Sequence, residues 1–216
     1  MKPVLTALAA VVLIAQAPCT LAASAVDLTV TGRITPLACT PSLSNNGLVD
    51  YGKISRQYLS VDKRTQLRDQ TLDLNLQCDA PARFALLMRD NRDGSAIVNS
   101  EIYYGLNRDS SGNKIGLYSL NFDPANTVVD GWPQVYRTDS TTGGVAWSSS
   151  NSRSIPIGAR SYLGFTDVAG SSAGPIGIRS LTSRVTVETV IAPTSELDLS
   201  ADVQLDGAAT LDVVYL

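Results

Sequence analysis

The chain of 216 residues has no histidine, which closes off Ser-His-Asp and Cys-His nucleophilic schemes and removes the commonest metal ligand. What remains for chemistry is a set of carboxylates, three cysteines and a few aromatic side chains. Asp50, Asp90, Asp93, Glu101 and Glu188 are of the right type for two-carboxylate glycoside hydrolysis, which needs an acid and a base or nucleophile on opposite sides of the scissile bond. Nothing in their spacing pairs them, and each reads more simply as a turn former or a solvated strand position. Trp132, Trp147, Tyr103 and Tyr104 offer rings for sugar stacking, although aromatic side chains in β proteins more often fill cores and rims. No catalytic residue, metal site or cofactor is assigned on this reading, and a non-enzymatic protein is expected.

Of the cysteines, Cys19 lies in a leader. The chain opens with one basic residue, Lys2, followed by an apolar run from Val4 to Ala15 and then small residues. That is the pattern of a secretory signal peptide over residues 1–23, with cleavage after Ala23 or Ala25, and the run is too short to cross a bilayer. Removing it leaves Cys39 and Cys78 in a chain bound for an oxidising compartment, and two thiols allow one intramolecular pairing. A Cys39–Cys78 disulfide is therefore expected, which leaves no thiolate for a zinc site. In the chain-entropy treatment, closing a loop of about 40 residues contributes roughly 4 kcal/mol. Without Lys2, the chain carries 16 Lys and Arg against 20 Asp and Glu. This acidic balance, with no basic cluster, argues against nucleic acid as a partner.

The elements that would position these residues are strands. Val26, Leu28, Val30, Gly32 and Ile34 fall at every second position of an N-terminal arm, residues 24–36, with polar residues between them. The pattern fits the first strand of the chain's own sandwich, and it fits equally a strand that enters a neighbour's sheet. Leu48–Ile54 reads as a short strand, and Arg56–Gln70 as a loop with room for one helical turn. Thr71–Cys78 alternates strictly, placing Leu72, Leu74, Leu76 and Cys78 on one face. Phe84–Met88 is apolar and stops at Asp90-Asn91-Arg92-Asp93-Gly94-Ser95, where Asp93-Gly94 favours a tight turn. Residues 95–154 are polar and glycine-rich, and read as a long insertion with strand-like islands at 102–104, 115–120 and 145–147. Strand character resumes over Ser154–Phe165 and Val185–Ile191, the latter stopped by Pro193. The chain closes with Ala209–Leu216, where Leu211, Val213 and Tyr215 share a face. Short strands at this density, with no amphipathic helix after the leader, indicate an all-β sandwich over residues 37–216. A chain ending inside a core strand leaves an open edge beside it, and such edges invite pairing.

The series Leu28-x-Val30-x-Gly32-x-Ile34 before Cys39, the second cysteine closing Leu72-x-Leu74-x-Leu76-x-Cys78, and a tyrosine next to the C-terminus together resemble a chaperone–usher pilus subunit. Asp90–Ser95, after the Cys78-Asp79-Ala80-Pro81 corner, resembles a fimbrial-like subgroup known as a domain of unknown function. The resemblance implies an incomplete immunoglobulin-like β-sandwich completed by a donated strand. Val26, Leu28, Val30, Gly32 and Ile34 would be donor positions, and Leu211, Val213 and Tyr215 would border the acceptor. It also implies a periplasmic chaperone, an outer-membrane usher and neighbouring pilus subunits as partners, with export through the periplasm to a fimbrium at the cell surface. The alternative from another class is a secreted or periplasmic carbohydrate-active β-sandwich, either a binding module or a two-carboxylate glycosidase.

Overall fold

The computed structural model describes residues 29–31 and 38–216. The chain divides into two compact units, Met1–Thr35 and Pro36–Leu216. In the first, Thr29–Thr31 are exposed and form no strand, although the alternation of the arm predicts one; extended backbone becomes a strand only when a neighbour takes up its N–H and C=O groups. Val26, Leu28, Gly32 and Ile34, like the leader, lie outside the described residues.

The second unit is an all-β sandwich of two antiparallel sheets. The larger runs β1 (Cys39–Leu43), β3 (Gln70–Ala82), β10 (Ile178–Ile191), β6 (Gly116–Val129) and β5 (Tyr104–Gly105), with β2 (Thr65–Gln66) on β10 and β8 (Ile155–Pro156) on β6. The smaller runs β11 (Ala209–Tyr215), β4 (Phe84–Asp90), β9 (Tyr162–Thr166) and β7 (Tyr136–Ser140). Strict alternation in β3 does what its period requires: Leu72, Leu74, Leu76 and Cys78 are buried and the residues between them exposed. Leu74, Leu76 and Cys78 meet Phe84, Leu86, Leu163 and Phe165 of the smaller sheet in one core. Cys39 and Cys78 sit opposite each other in the β1–β3 register and are joined by the expected disulfide.

Further expectations change. Leu48–Ile54 is not a strand, because the chain before it turns through left-handed backbone at Asn45, Asn46 and Gly47. Asp50 Oδ1 then accepts the Gly52 N–H at 2.7 Å, which holds a local turn in place of a ladder. Residues 95–154 are also more than an insertion, since β6 lies between β10 and β5 within the larger sheet. β6 tolerates Pro124 because the register with β10 shifts between Ser183 and Val185. The proline therefore falls in a bulge where no ladder donor is needed. The island at 145–147 forms no strand; the Trp147 indole N–H donates to the Gly144 carbonyl instead.

At the far side of the sandwich, Arg137 of β7 is only 1% exposed. Its guanidinium forms a fork with the Asp139 carboxylate and donates across to the carbonyls of Ile155 and Phe122, tying the smaller sheet to β8 and β6. Removing one partner of a buried pair strands the others without water. Arg137→Met is expected to lower unfolding free energy by about 3 kcal/mol, read by urea denaturation. Asp139→Asn should cost less, because the Asp139 side chain is partly exposed.

Candidate functional site: a groove between two sheet edges

Among the described residues β1 pairs only with β3, and β11 only with β4. Their free edges face one another. The parity of the ladders fixes which backbone groups are left over. Leu216 N–H donates to Arg83 O, and Asn91 N–H to Ala208 O; the even-numbered residues of β11 are therefore those bonded to β4. Ala209, Leu211, Val213 and Tyr215 consequently turn both N–H and C=O outward. In β1 the Asp79 N–H donates to Ala38 O, so Cys39, Pro41 and Leu43 point outward. That edge is blunted, since Pro41 has no N–H and the Cys39 N–H donates to the Tyr215 hydroxyl at 2.7 Å.

Between the edges lies an apolar groove of about 370 Å³. Its floor is the inner face of the larger sheet, through Leu72, Leu120, Phe122, Val185 and Val187, and its walls include Leu43, Met88, Ala209 and Leu211. Tyr51 crosses one side and donates its hydroxyl to Thr189 Oγ1 at 2.9 Å, both residues lining the groove. Burial pushes the Tyr51 phenol up from its ordinary range. Of the acceptor positions expected from sequence, Leu211 lines the groove and Val213 packs half-buried against the core. Tyr215 is 47% exposed and bridges β11 to β1 at the disulfide end. Sequence reasoning missed Leu48, Val49 and Tyr51 as lining, together with Leu205, Gly207 and Ala208.

The carboxylates and rings considered for chemistry are placed elsewhere. Asp50 and Asp90 accept backbone N–H groups, Asp93 pairs with Arg160, and Glu188 accepts from Ser119. Glu101 contributes its carbonyl, which accepts the Ala159 N–H. Tyr104 is wholly buried and stacks on Tyr118, while Trp132 packs against the core. No cluster of metal-ligating side chains occurs among the described residues.

The segment leading into β11 is held by acidic side chains. Asp109 Oδ2 accepts the Asp198 N–H at 2.7 Å, and Asp198 accepts the hydroxyls of Ser200 and Ser111 at 2.6 and 2.7 Å. These bonds hold both carboxyls below their ordinary range: Asp109 chiefly through the Asp198 amide, Asp198 chiefly through the Ser200 hydroxyl. The Arg92 side chain does the same for Asp206. A carboxyl whose folded-state pKa is depressed contributes stability that is complete above its unfolded value and is lost as pH falls through the folded one. Stability is thus expected to hold level above about pH 5 and to fall below the ordinary carboxyl value of 3.8. Asp198→Asn should flatten that acid limb in pH-dependent thermal melts. Separately, Tyr215→Phe should speed exchange of the Cys39 amide while lowering stability by about 1 kcal/mol.

Residues 28–110 match the family described as "Protein of unknown function (DUF1120)". The chain is also similar along most of its length to two proteins of Escherichia coli (strain K12). It is 26% identical to Protein GltF over 223 residues, covering 88% of each chain. It is 25% identical to Uncharacterized protein YhcF over 223 residues, covering 90% of this chain and 92% of that protein.

Proposed function

We propose that this chain is a structural subunit of a chaperone–usher type fimbria, in which the groove between β1 and β11 accepts the N-terminal arm of a neighbouring subunit. The observation that carries the reading is the pair of open edges facing each other across an apolar floor. β11 offers outward N–H and C=O groups at four alternate residues, Ala209 to Tyr215, along seven residues of strand. At about 3.4 Å per residue that is a seat of roughly 20 Å, suited to the alternating stretch Val26–Ile34 of a second copy. Four apolar side chains at about 1.5 to 3 kcal/mol each give an upper figure of roughly 6 to 12 kcal/mol gross. That is comparable with the whole stability of a typical domain.

An empty groove would leave the subunit marginal and its edges prone to pairing at random. A periplasmic chaperone that lends a strand until an outer-membrane usher brings in the next subunit answers that problem, and gives the chain an exported, cell-surface destination.

The reading is tested by appending a copy of residues 24–35 after Leu216 through a short flexible linker and deleting the original arm. The added strand then sits near its seat at high effective concentration. The expected product is a soluble monomer melting well above the unmodified chain made without chaperone. Leu28→Asp with Val30→Asp in the appended copy should abolish the gain, because it would bury unpaired carboxylates. An unmodified chain that is already a stable monomer, with a melting temperature the appended strand does not change, would overturn the proposal.

A further inference from the structure

Beside the groove lies a polar network that includes most of the Asp90–Ser95 turn. Asp90 accepts the Arg92 N–H at 2.8 Å and the Gly105 N–H at 2.9 Å, and the Ser95 hydroxyl donates to the Arg92 carbonyl at 2.7 Å while accepting the Asn107 N–H at 3.0 Å. The turn and β5 are pressed so close that a Cβ on Gly105 would lie 1.9 Å from Ser95 Oγ. So braced, Arg92 reaches 114 residues along the chain. Its Nη2 donates to Asp206 Oδ1 at 2.8 Å, and its Nε to Asp206 Oδ2 and to the Asp206 carbonyl, both at 3.1 Å. Asn107 Nδ2 adds a further bond to Asp206 Oδ2 at 2.9 Å.

Asp206 stands between Leu205 and Gly207, both of which line the groove. Gly207 lies against its neighbours, since a Cβ there would meet the Tyr118 ring at 2.9 Å and Leu106 at 3.0 Å. Two residues further on, β11 begins opposite Asp90, the first residue of the same turn. Asn91 bonds both the Ala208 carbonyl, at 2.9 Å, and Thr210 Oγ1, at 3.0 Å. One turn thus grips the wall of the groove at 205–208 and the start of the strand that forms its open edge.

We infer that the Asp90–Ser95 turn is a clasp that fixes the register of β11 on β4, with Arg92 and Asp206 as the positioning residues that keep the groove's β11 end shaped to receive a strand. An edge strand with one neighbour frays from its ends. The Tyr215 end is bolted to β1 by the Cys39 bond, and the clasp does the corresponding work at the Ala209 end. The bidentate guanidinium–carboxylate fork suits this role because it fixes orientation as well as distance, which a lysine cannot reproduce. The inference deepens the strand-accepting reading and rests on it for the identity of the guest.

The test compares Arg92→Ala, Asp206→Asn and Arg92→Lys with Arg89→Ala in the full mature chain. Arg89→Ala removes an exposed ion pair to Asp212 between the same two strands and leaves the clasp intact. Two quantities are read: amide exchange along β11, and affinity for a synthetic peptide of residues 24–35. Arg92→Ala should speed exchange at Thr210 and Asp212, whose amides bond β4, by about tenfold or more. Val214, next to the Tyr215 bolt, should keep its rate, and peptide affinity should drop by about tenfold. Asp206→Asn should give the same gradient in weaker form even if the alanine variant fails to fold. Arg92→Lys should restore only part of the loss, and Arg89→Ala should match the parent chain. Unchanged exchange at Thr210 and Asp212, or an acceleration uniform over β11 and β10, would overturn the clasp. If the peptide fails to bind the parent chain, the strand-accepting reading fails, and the exchange gradient still decides whether the turn sets the register of β11.

Discussion

Backbone N–H and C=O groups at the edge of a sheet are chemically unfinished, and a protein must pair them, cover them or leave them to water. In this sandwich the other margins are managed. β7 is flanked by the segment through Ser148 and Asn151, and β6 is flanked by β5 and β8. Among the described residues the facing edges of β1 and β11 have no strand between them, and they bound a floor of leucine, valine and phenylalanine. If the gap receives a strand as proposed, the rest of the architecture has to keep it open and regular. The disulfide holds β1, the Tyr215 hydroxyl spans one end, and the turn after β4 holds the other.

The two edges are not equivalent. β11 presents full donor and acceptor pairs at alternate residues, of which Ala209, Leu211 and Val213 also pack toward the interior, so one parity sets both the ladder and the packing. β1 presents carbonyls, the N–H of Leu43, a Cys39 N–H already taken by Tyr215, and a proline with none. A strand seated there as proposed would therefore ladder mainly on β11 while its side chains met the common floor. Pro41 here serves as proline serves on many edge strands, limiting which partners can pair there.

Much of the sandwich was legible in the sequence because period-2 patterns leave little choice once one face is buried. β3, β4, β10 and β11 lie where the alternation of Leu72–Cys78, Phe84–Met88, Val185–Ile191 and Ala209–Tyr215 puts them. The expectation of an oxidising compartment and the count of thiols were enough to pair Cys39 with Cys78. β6 was harder to read, because a strand covered on both faces loses its alternation, and Asn121, Pro124 and Asn126 interrupt its apolar run. The groove's walls at 48–51 and 205–208 were missed because their side chains are placed by turns and distant hydrogen bonds, for which local spacing carries no signal. The segment Leu48–Ile54 shows the converse: strand-like residues that found no ladder to join.

The disulfide also has a mechanical consequence. Residues 24–36 precede Cys39 directly in the chain, so any tension drawn through the arm reaches the sandwich at that residue. With β1 held by hydrogen bonds alone, the load would peel the strand from β3 one pair at a time, the weakest way to load a ladder. The Cys39–Cys78 bond carries the force past β1 into β3, which is laddered on both sides, by β1 and by β10. Rupture would then require shearing a thirteen-residue strand from the interior of the larger sheet. In a fibre of the proposed kind, with subunits strung together by such arms, the cystine would make each link resist pulling as a whole sheet.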